Sequence, residues 1–533
     1  MAMATATAMV PAPEKVRWPA LATARCERGR PLPRLVRLLL IPSLLAGAPV
    51  SAAKWNIVPT LSVDETYTDN LRLGSAGAAR SDWVTQIKPA IAINASGSRL
   101  RINAAYSPQF LYRANEGGSD VVHALNAGAD AELAPRLAFL EARATISQQD
   151  VSLLGPQSDS NVNVTGNRAT VRTFSASPYL RHDFAQDARA EARLTFSTVG
   201  SDAASNSASD SRSSRLGLRL TSGPAFKLLT WNLGYEQESI VQAQGPRTDT
   251  EKLTMGAGRL ITPNLRLLGN IGYENFDYPV AGAPSGGANW NLGAEWTPTP
   301  RTRLAATAGR RNIDPSYSLN FGHRTRLTVW SADYSEDLTT SRTQALIPTE
   351  VNTATLLDGL FLTSFPDPVA RQKAVQDFIV QRGLPQTQTV PLNFITSVPY
   401  LSKRGQASFG IQGVRNTILA NAFVQTREAT STIAPGAGDF ATSPRTLQTG
   451  ASALWTLRMT ATTTTNLSAA ITQNEFPGTG RRDAQKQIRF GVTRQFLPKL
   501  SGSLSYRWLQ SDSTQALAGY KENAVTAALL MRF

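Results

Sequence analysis

The sequence is poor in the residues that build disulfides, metal sites and helical membrane spans. Only one of its 533 residues is cysteine and three are histidine. Cys26 lies upstream of the apolar run Leu38–Leu45, so we expect a mature chain without disulfides, thiolate metal ligands or lipid attached to cysteine. Beyond the N-terminal region no segment approaches the roughly 18 to 20 consecutive apolar residues of a spanning helix. A membrane protein with this sequence must therefore cross the bilayer with strands.

Residues 1–52 have the composition of an export signal with a long N-terminal region. The apolar run is preceded by Arg30, Arg34 and Arg37 and followed by the small residues Val50-Ser51-Ala52-Ala53, which predicts cleavage after Ala52 or Ala53. A short membrane anchor is the alternative, although the run is only about half a bilayer span. The whole chain carries a formal charge of +15. Removal of residues 1–52 takes away seven basic and two acidic residues and leaves +10.

Apolar and polar residues alternate with a period of two along most of the chain. Leu229, Trp231, Leu233 and Tyr235 share one parity, whereas Thr230, Asn232, Gly234 and Glu236 share the other. Such runs are mostly about 10 to 14 residues long, which suits a tilted bilayer crossing better than a soluble strand. The pattern predicts an all-β fold, a large antiparallel transmembrane β-barrel. A secreted β-sandwich, which would bury its aromatic face in a core, is the soluble alternative.

Turn signals alternate with long polar segments. Tight reversals are predicted at 134–136, 186–187, 223–224, 262–264, 298–300 and 497–499, and longer polar loops at 200–211 and 281–287. Short turns on one rim and long loops on the other are typical of outer-membrane barrels, with the short turns in the periplasm.

The final strand is amphipathic and ends on the aromatic residue Phe533. It resembles the signal that the barrel-assembly machinery of Gram-negative bacteria reads. We therefore expect the bacterial outer membrane as the location, with membrane lipid, lipopolysaccharide and that machinery as partners.

Candidate strands fall into two groups separated by a segment of different character. We count fourteen from Trp55 to Glu336 and seven from Lys403 to Phe533. Because single-chain bacterial barrels normally have an even number of strands, we expect about 20 to 22. The predicted organisation is a signal peptide at 1–52, the N-terminal part of the barrel at 53–338, an insertion at 339–401 and the C-terminal part at 402–533.

The insertion contains the signals of a capped amphipathic helix. Asp367 suits the N-cap and Pro368 the first helical position, and Gly383 followed by Pro385 ends the helix. Val375, Phe378 and Ile379 form an apolar stripe. Two interpretations stay open, a loop packed on the barrel rim and a plug inside the lumen.

Catalytic constellations are not found in the sequence. His123, His182 and His323 lie on separate predicted strands or rims, without a zinc-protease, nucleophile-elbow or Walker motif. We expect no enzyme activity, no cofactor and no metal site. Nucleic acid is an unsuitable ligand, because the basic residues are spread along strands without a module of stacking aromatics.

A set of arginines lies on the parity predicted to face the lumen. These eight, called the lumen arginines below, are Arg189, Arg193, Arg215, Arg219, Arg303, Arg458, Arg489 and Arg507. They either form an internal network with glutamates that braces a wide barrel, or provide a basic surface for an acidic polymer.

The predicted mature chain begins with the segment Trp55-Asn56-Ile57-Val58-Pro59-Thr60-Leu61-Ser62-Val63-Asp64-Glu65-Thr66-Tyr67-Thr68-Asp69-Asn70-Leu71. This segment resembles the start of outer-membrane proteins associated with the PEP-CTERM and exosortase system of exopolysaccharide-producing proteobacteria. The predicted helix in the middle of the chain is also similar to that family's insertion, through Arg371, Phe378, Ile379 and Gly383-Leu384-Pro385. The resemblance implies a barrel that takes part in exopolysaccharide production, export or surface anchoring, with an anionic exopolysaccharide and its periplasmic export proteins as partners. It supplies no catalytic residues.

Three functions remain open at this stage. An exopolysaccharide conduit or assembly factor predicts an open or gated basic lumen. A general porin predicts constitutive leakage of small solutes, and a structural or anchoring barrel predicts a filled lumen without conductance.

Overall fold

The computed structural model describes most of the chain. The described residues are 53–203, 210–243, 247–277, 286–311, 314–346, 353–362, 365–367, 370–372, 374–375, 378–379, 396, 398–430 and 438–533. The predicted export signal, Cys26 included, lies outside them.

The described residues form 22 strands. Fifteen precede the insertion: β1 (Lys54–Thr68), β2 (Asp82–Ser96), β3 (Leu100–Arg113), β4 (Ser119–Ala134), β5 (Ala138–Asp150), β6 (Arg168–Phe184), β7 (Ala188–Ser201), β8 (Ser211–Ser222), β9 (Leu229–Gln242), β10 (Thr248–Thr262), β11 (Leu265–Asp277), β12 (Gly286–Thr299), β13 (Thr302–Arg311), β14 (Asp314–Arg324) and β15 (Thr328–Thr339). Seven follow it: β16 (Tyr400–Gln412), β17 (Asn416–Ala429), β18 (Arg445–Arg458), β19 (Thr463–Phe476), β20 (Arg481–Leu497), β21 (Leu500–Ser513) and β22 (Tyr520–Arg532).

The strands close into one antiparallel barrel. Each strand pairs with its neighbours in the chain, and β1 pairs with both β2 and β22. At this seam Tyr67 lies opposite Trp83 of β2 and Val525 of β22. Every described strand thus has a partner on both sides, although β14 and β15 pair only through Leu319–Arg324 and Val329–Tyr334. A closed barrel is the form in which strands can cross a lipid bilayer, because it pairs their backbone groups with one another. The predicted fold class is confirmed, at the upper end of the expected strand number.

The count of fourteen strands before the insertion was one too low. Alternation is weak where both faces carry small residues, as in β13, in which Ala305 faces the lumen and Ala306 the outside. Such strands are visible in backbone pairing but give little periodic signal in the sequence. The count of seven after the insertion is correct.

Large apolar side chains point outward. On β12, Trp290, Leu292 and Trp296 have exposed fractions of 48%, 63% and 49%, while Asn291 and Glu295 point to the lumen. Comparable apolar residues lie on the outside of strands all around the barrel. An apolar belt of this extent is stable in contact with lipid, not with water.

The two rims differ in the lengths of their connections. All six predicted tight turns lie on one rim, together with the start of β1 and the end of β22. The other rim carries the long connections, among them 69–81, 151–167, 340–399 and 430–444. The predicted loop at 200–211 joins β7 to β8 on this rim, although its residues 204–209 and residues 281–285 of the other predicted loop lie outside the described part. Short turns face the periplasm in bacterial outer-membrane barrels.

The insertion, residues 340–399, contains the helices α1 (Ser341–Leu346) and α2 (Thr353–Phe361), and the described residues from 370 to 379 are also helical. Asp367 caps this third stretch as predicted, because its Oδ2 accepts a hydrogen bond of 2.8 Å from the Ala370 amide. Pro368, Gly383 and Pro385 lie outside the described residues. None of the described helices is long and apolar enough to span a membrane.

Candidate functional site in the lumen

All eight lumen arginines occupy inward-facing positions on six strands. Each alternates with residues that face outward. Arg193, for example, stands between Ala192 and Leu194, and the Leu194 side chain is exposed on the outer surface.

Six of the eight are engaged in ion pairs. The pairs are Arg189 with Asp183, Arg193 with Glu141 and Glu191, Arg215 with Glu236 and Glu238, Arg303 with Glu295, Arg489 with Asp159, and Arg507 with Asp159 and Glu522. For these six the geometry favours the bracing network. Arg219 and Arg458 have no carboxylate within 4.0 Å in the described part of the chain.

An aromatic and arginine row crosses three strands on the lumen face. Phe139 of β5 pairs in register with Tyr179 of β6, and Tyr179 with Arg193 of β7. The two rings stack with centroids 4.9 Å apart and an interplanar angle of 14°, and the Arg193 Cζ lies 3.9 Å from the Tyr179 centroid. The Arg181 Cζ lies 4.4 Å from the Phe139 centroid. Sequence reasoning missed this row, although aromatic residues on a parity otherwise occupied by Glu141 and Arg143 were a usable signal.

Arginine is in excess around this row. Glu191 lies in register between Arg181 of β6 and Arg219 of β8, but it is bound by Arg193 at 2.9 Å. Asp183, two residues beyond Arg181, is bound by Arg189. Neither Arg181 nor Arg219 forms an ion pair within 4.0 Å with a carboxylate of the described residues. We call Arg181, Arg189, Arg193 and Arg219, with Phe139 and Tyr179, the β5–β8 arginine wall.

A neutral band continues around the lumen from this wall. Asn232, Gly256, Asn270 and Asn291 occupy one register row across β9 to β12, and the Asn270 Nδ2 donates a hydrogen bond of 2.8 Å to the Asn291 Oδ1. A Cβ at Gly256 would lie 2.2 Å from the Asn270 Oδ1 and 2.5 Å from the Asn232 Nδ2, so a larger residue there would force the two asparagine side chains to move. This amide band presents hydrogen-bond donors and acceptors without net charge.

Residues 151–167, the crossing loop, leave β5 and reach the wall formed by β20, β21 and β22. Asp159 Oδ2 lies 2.9 Å from the Arg489 Nη2, and its Oδ1 lies 3.3 Å from the Arg507 Nη1. Asn163 donates to the Glu522 Oε1 at 2.6 Å. Because these strands are separated from β5 around the barrel, the loop spans part of the lumen on the long-loop side.

The electrostatics of the crossing loop favour an ionised Asp159. Desolvation by the surrounding barrel wall opposes ionisation of the Asp159 carboxyl, although half of the side-chain surface is exposed to the water of the lumen. Arg489 and Arg507 outweigh this effect and hold the pKa of the Asp159 carboxyl at about 2. Burial instead raises the pKa of Asp439, which accepts a hydrogen bond of 2.6 Å from the Leu153 amide at the start of the loop.

The insertion contacts two separate parts of the inner wall. Arg342 of α1 donates to the hydroxyls of Ser197 and Ser213, at 2.9 and 3.0 Å, on β7 and β8. Leu357 of α2 packs in a buried cluster with the inward-facing Leu419 and Leu454, which lie near the short-turn ends of β17 and β18. Arg342 and Leu357 are thus both in contact with inward-facing residues of the barrel wall.

The histidines are dispersed. His123, His182 and His323 lie on β4, β6 and β14, and their contacts are with Tyr106, Phe184 and Thr302. Over the described ranges, no group of three or more His, Cys, Asp or Glu side chains is arranged to hold a metal ion.

The closed barrel, the outward apolar belt, the polar lumen and the short turns on a single rim define a bacterial outer-membrane β-barrel protein. No family profile and no curated protein matches the sequence.

Several solved structures resemble it. The siderophore receptor PirA from Pseudomonas aeruginosa is 10% identical, with a TM-score of 0.43 over 90% of this chain and 80% of the receptor. A loop-deletion mutant of OmpT, an outer-membrane protein of Vibrio cholerae, is 8% identical, with a TM-score of 0.32 over 90% of this chain and 100% of its own. The outer-membrane protein opdK from Pseudomonas aeruginosa is 8% identical, with a TM-score of 0.34 over 90% of this chain and 99% of its own.

Proposed function

We propose that this barrel takes part in exopolysaccharide production as an outer-membrane conduit for an anionic polymer, and that the insertion gates it. The observation that carries the proposal is the composition of the inner wall, where the β5–β8 arginine wall borders the neutral amide band of β9 to β12. Acidic polysaccharides carry both carboxylates and many hydroxyls. Guanidinium groups bind carboxylates, and amides exchange hydrogen bonds with hydroxyls.

The charge distribution suits transport better than tight binding. Most of the arginines are already paired with glutamate or aspartate, so the field they add to the lumen is moderate. A polymer must bind strongly enough to enter and weakly enough to leave. The resemblance of the mature N-terminus to proteins of exopolysaccharide-producing bacteria supports the same class of cargo.

The insertion is the element we assign as the gate. It contacts β7 and β8 through Arg342 and β15, β17 and β18 through the Leu357 cluster. We propose that periplasmic export proteins displace it from the short-turn side. Phe533 serves the assembly machinery in this scheme, and lipopolysaccharide and membrane lipid surround the belt.

Single-channel recording tests the proposal. Thr339 and Tyr400 are paired in register, so a short Gly/Ser linker can replace residues 341–398 without disturbing the strands. We expect low conductance from the full chain and a large increase from the shortened one. Polygalacturonate added on the short-turn side should block the shortened channel reversibly, and dextran of matched length should not.

A structural or anchoring barrel is the second candidate, favoured by the crossing loop and the insertion inside the lumen. In that case neither the full chain nor the shortened chain conducts, although both show the heat-modifiable gel migration of a folded barrel. High conductance from the full chain without polymer blockade would instead indicate a general small-solute porin. Either result would refute the gated conduit.

A further inference from the structure

We infer that the β5–β8 arginine wall is the site where the polymer first binds, and that it binds the carboxylates of acidic sugar units. The choice of ligand rests on the proposed function. The location and the chemistry of the site rest on the geometry of Arg181, Arg219 and the row between them.

The site lies at the short-turn end of the lumen. Phe139 is the second residue of β5, Arg181 is three residues before the end of β6, and Arg219 is three residues before the end of β8. All three ends face the short-turn rim, which is periplasmic in barrels of this class. A polymer delivered from the periplasm therefore meets this wall before it reaches the crossing loop.

The row between the two arginines fixes their surroundings. Phe139 and Tyr179 stack on each other, and guanidinium groups lie over both rings. Cation–π contacts of this kind restrain an arginine without neutralising its charge. Arg181 is held over Phe139, and no carboxylate of the described residues lies within 4.0 Å of its guanidinium group. The carboxylate of an incoming sugar unit can therefore pair with Arg181 without displacing a carboxylate that the protein binds there.

The lumen arginines outside the β5–β8 arginine wall differ from Arg181 in their partners. Arg489 and Arg507 already hold Asp159 and Glu522, so a ligand would have to displace a carboxylate of the protein. Arg458, at the end of β18 on another part of the wall, is also unpaired in the described chain, but it has no aromatic neighbour comparable to Phe139. It therefore serves as a matched control.

Binding is measured on the full-length protein in detergent micelles by fluorescence anisotropy of a labelled oligogalacturonate. Loss of two charge-assisted contacts in the R181Q/R219Q double variant should weaken binding by about tenfold or more. The R458Q variant should stay within about twofold of the unsubstituted protein. The unsubstituted protein should also lose affinity with rising salt more steeply than the double variant. Heat-modifiable migration checks that each variant is folded.

Equal affinity of the double variant and the unsubstituted protein would overturn this inference, as would an equal loss in R458Q or no binding of the oligogalacturonate at all. The conductance experiment is independent of it. If the polymer still blocks the shortened channel carrying R181Q/R219Q, the inference about the binding site is wrong, while the proposed transport function stands. If the polymer binds the full-length protein but neither the full chain nor the shortened one conducts, the proposed transport function is wrong, while the inference about the binding site stands.

Discussion

Arg507 holds Glu522 through a single nitrogen, because its Nη2 lies 2.8 Å from both carboxylate oxygens. The Glu522 side chain is fully buried and also accepts hydrogen bonds from Thr68 at 2.7 Å and Asn163 at 2.6 Å. These residues come from β21, β22, β1 and the crossing loop. One buried carboxylate thus links the closing seam of the barrel to the loop inside it.

Replacement of Arg507 by leucine should destabilise the barrel strongly. The Glu522 charge would remain buried with hydrogen bonds but without a cation, and breaking a buried pair in this way costs about 3–5 kcal/mol. The free energy of unfolding is measured in urea with vesicle-embedded protein, from tryptophan fluorescence.

Arg303 provides the control, since its ion pair with Glu295 is open to the lumen and its side chain is 61% exposed. Arg303→Leu should cost no more than about 1 kcal/mol. The double variant Arg507→Leu/Glu522→Leu should regain much of the loss, because no unpaired charge remains. Equal losses from Arg507→Leu and Arg303→Leu would contradict this account.

The crossing loop should be released by Asp159→Asn. The substitution removes the charge that Arg489 and Arg507 bind, while the loop keeps its contacts at Asn163 and Leu153. The rate of cleavage by proteinase K within residues 151–167 is followed by mass spectrometry. Cleavage should become about tenfold faster if the substitution destabilises the wall-bound conformation of the loop by about 1.4 kcal/mol. The exposed carboxylate of Asp277 offers the control Asp277→Asn, whose nicking rate should match that of the unsubstituted protein. An unchanged rate in Asp159→Asn would mean that the ion pairs do not hold the loop.

Acid should break the ion pairs of Asp159 only far below neutral pH. The Asp159 pKa is about 2 in the folded protein, against an ordinary value near 3.8. A lowered pKa contributes stability that is complete above the ordinary value and is lost as the pH falls through the folded value. An environment-sensitive dye on Ser160→Cys should therefore show a transition below about pH 4 that depends on Asp159. This low-pH transition should vanish in an Asp159→Asn background. Asp439, whose pKa is raised by burial, holds the start of the same loop, so a transition at higher pH should persist in that background. An Asp159-dependent transition centred above pH 5 would disprove the assignment.

Much of the barrel could be predicted because its rules are local. The alternation around Trp231 or Leu292 fixes which face meets lipid, and the turns at 134–136 and 262–264 fix strand ends. The N-cap at Asp367 is also a local signal. The missing strand in the first group illustrates the limit, since small residues on both faces, as in β13, remove the contrast on which a period-two pattern depends.

The site was less predictable because it depends on register. The alternation in the sequence predicted that Arg193 and Arg219 face the lumen. Only the structure shows that Glu191 forms its ion pair with Arg193, although Arg219 lies opposite Glu191 in the strand register. The contact between Asp159 and Arg507 joins residues far apart in the chain. No local pattern reports such a contact, so the crossing loop was not foreseen and the location of the insertion was left open.

A charge on the lipid face should be far more costly than the same charge in the lumen. Leu292 lies in the middle of β12, points outward and is 63% exposed, so Leu292→Arg should lower the free energy of unfolding by about 2–4 kcal/mol in a bilayer. Ser318 of β14 faces the lumen at a similar depth and bonds to Thr307, and Ser318→Arg should cost about 1 kcal/mol or less, because water hydrates the new charge. Urea unfolding in vesicles of defined thickness measures both. The difference should shrink in detergent micelles, where the arginine reaches water more easily. Equal costs for the two variants in the bilayer would mean that β12 and β14 do not present these faces to lipid and lumen.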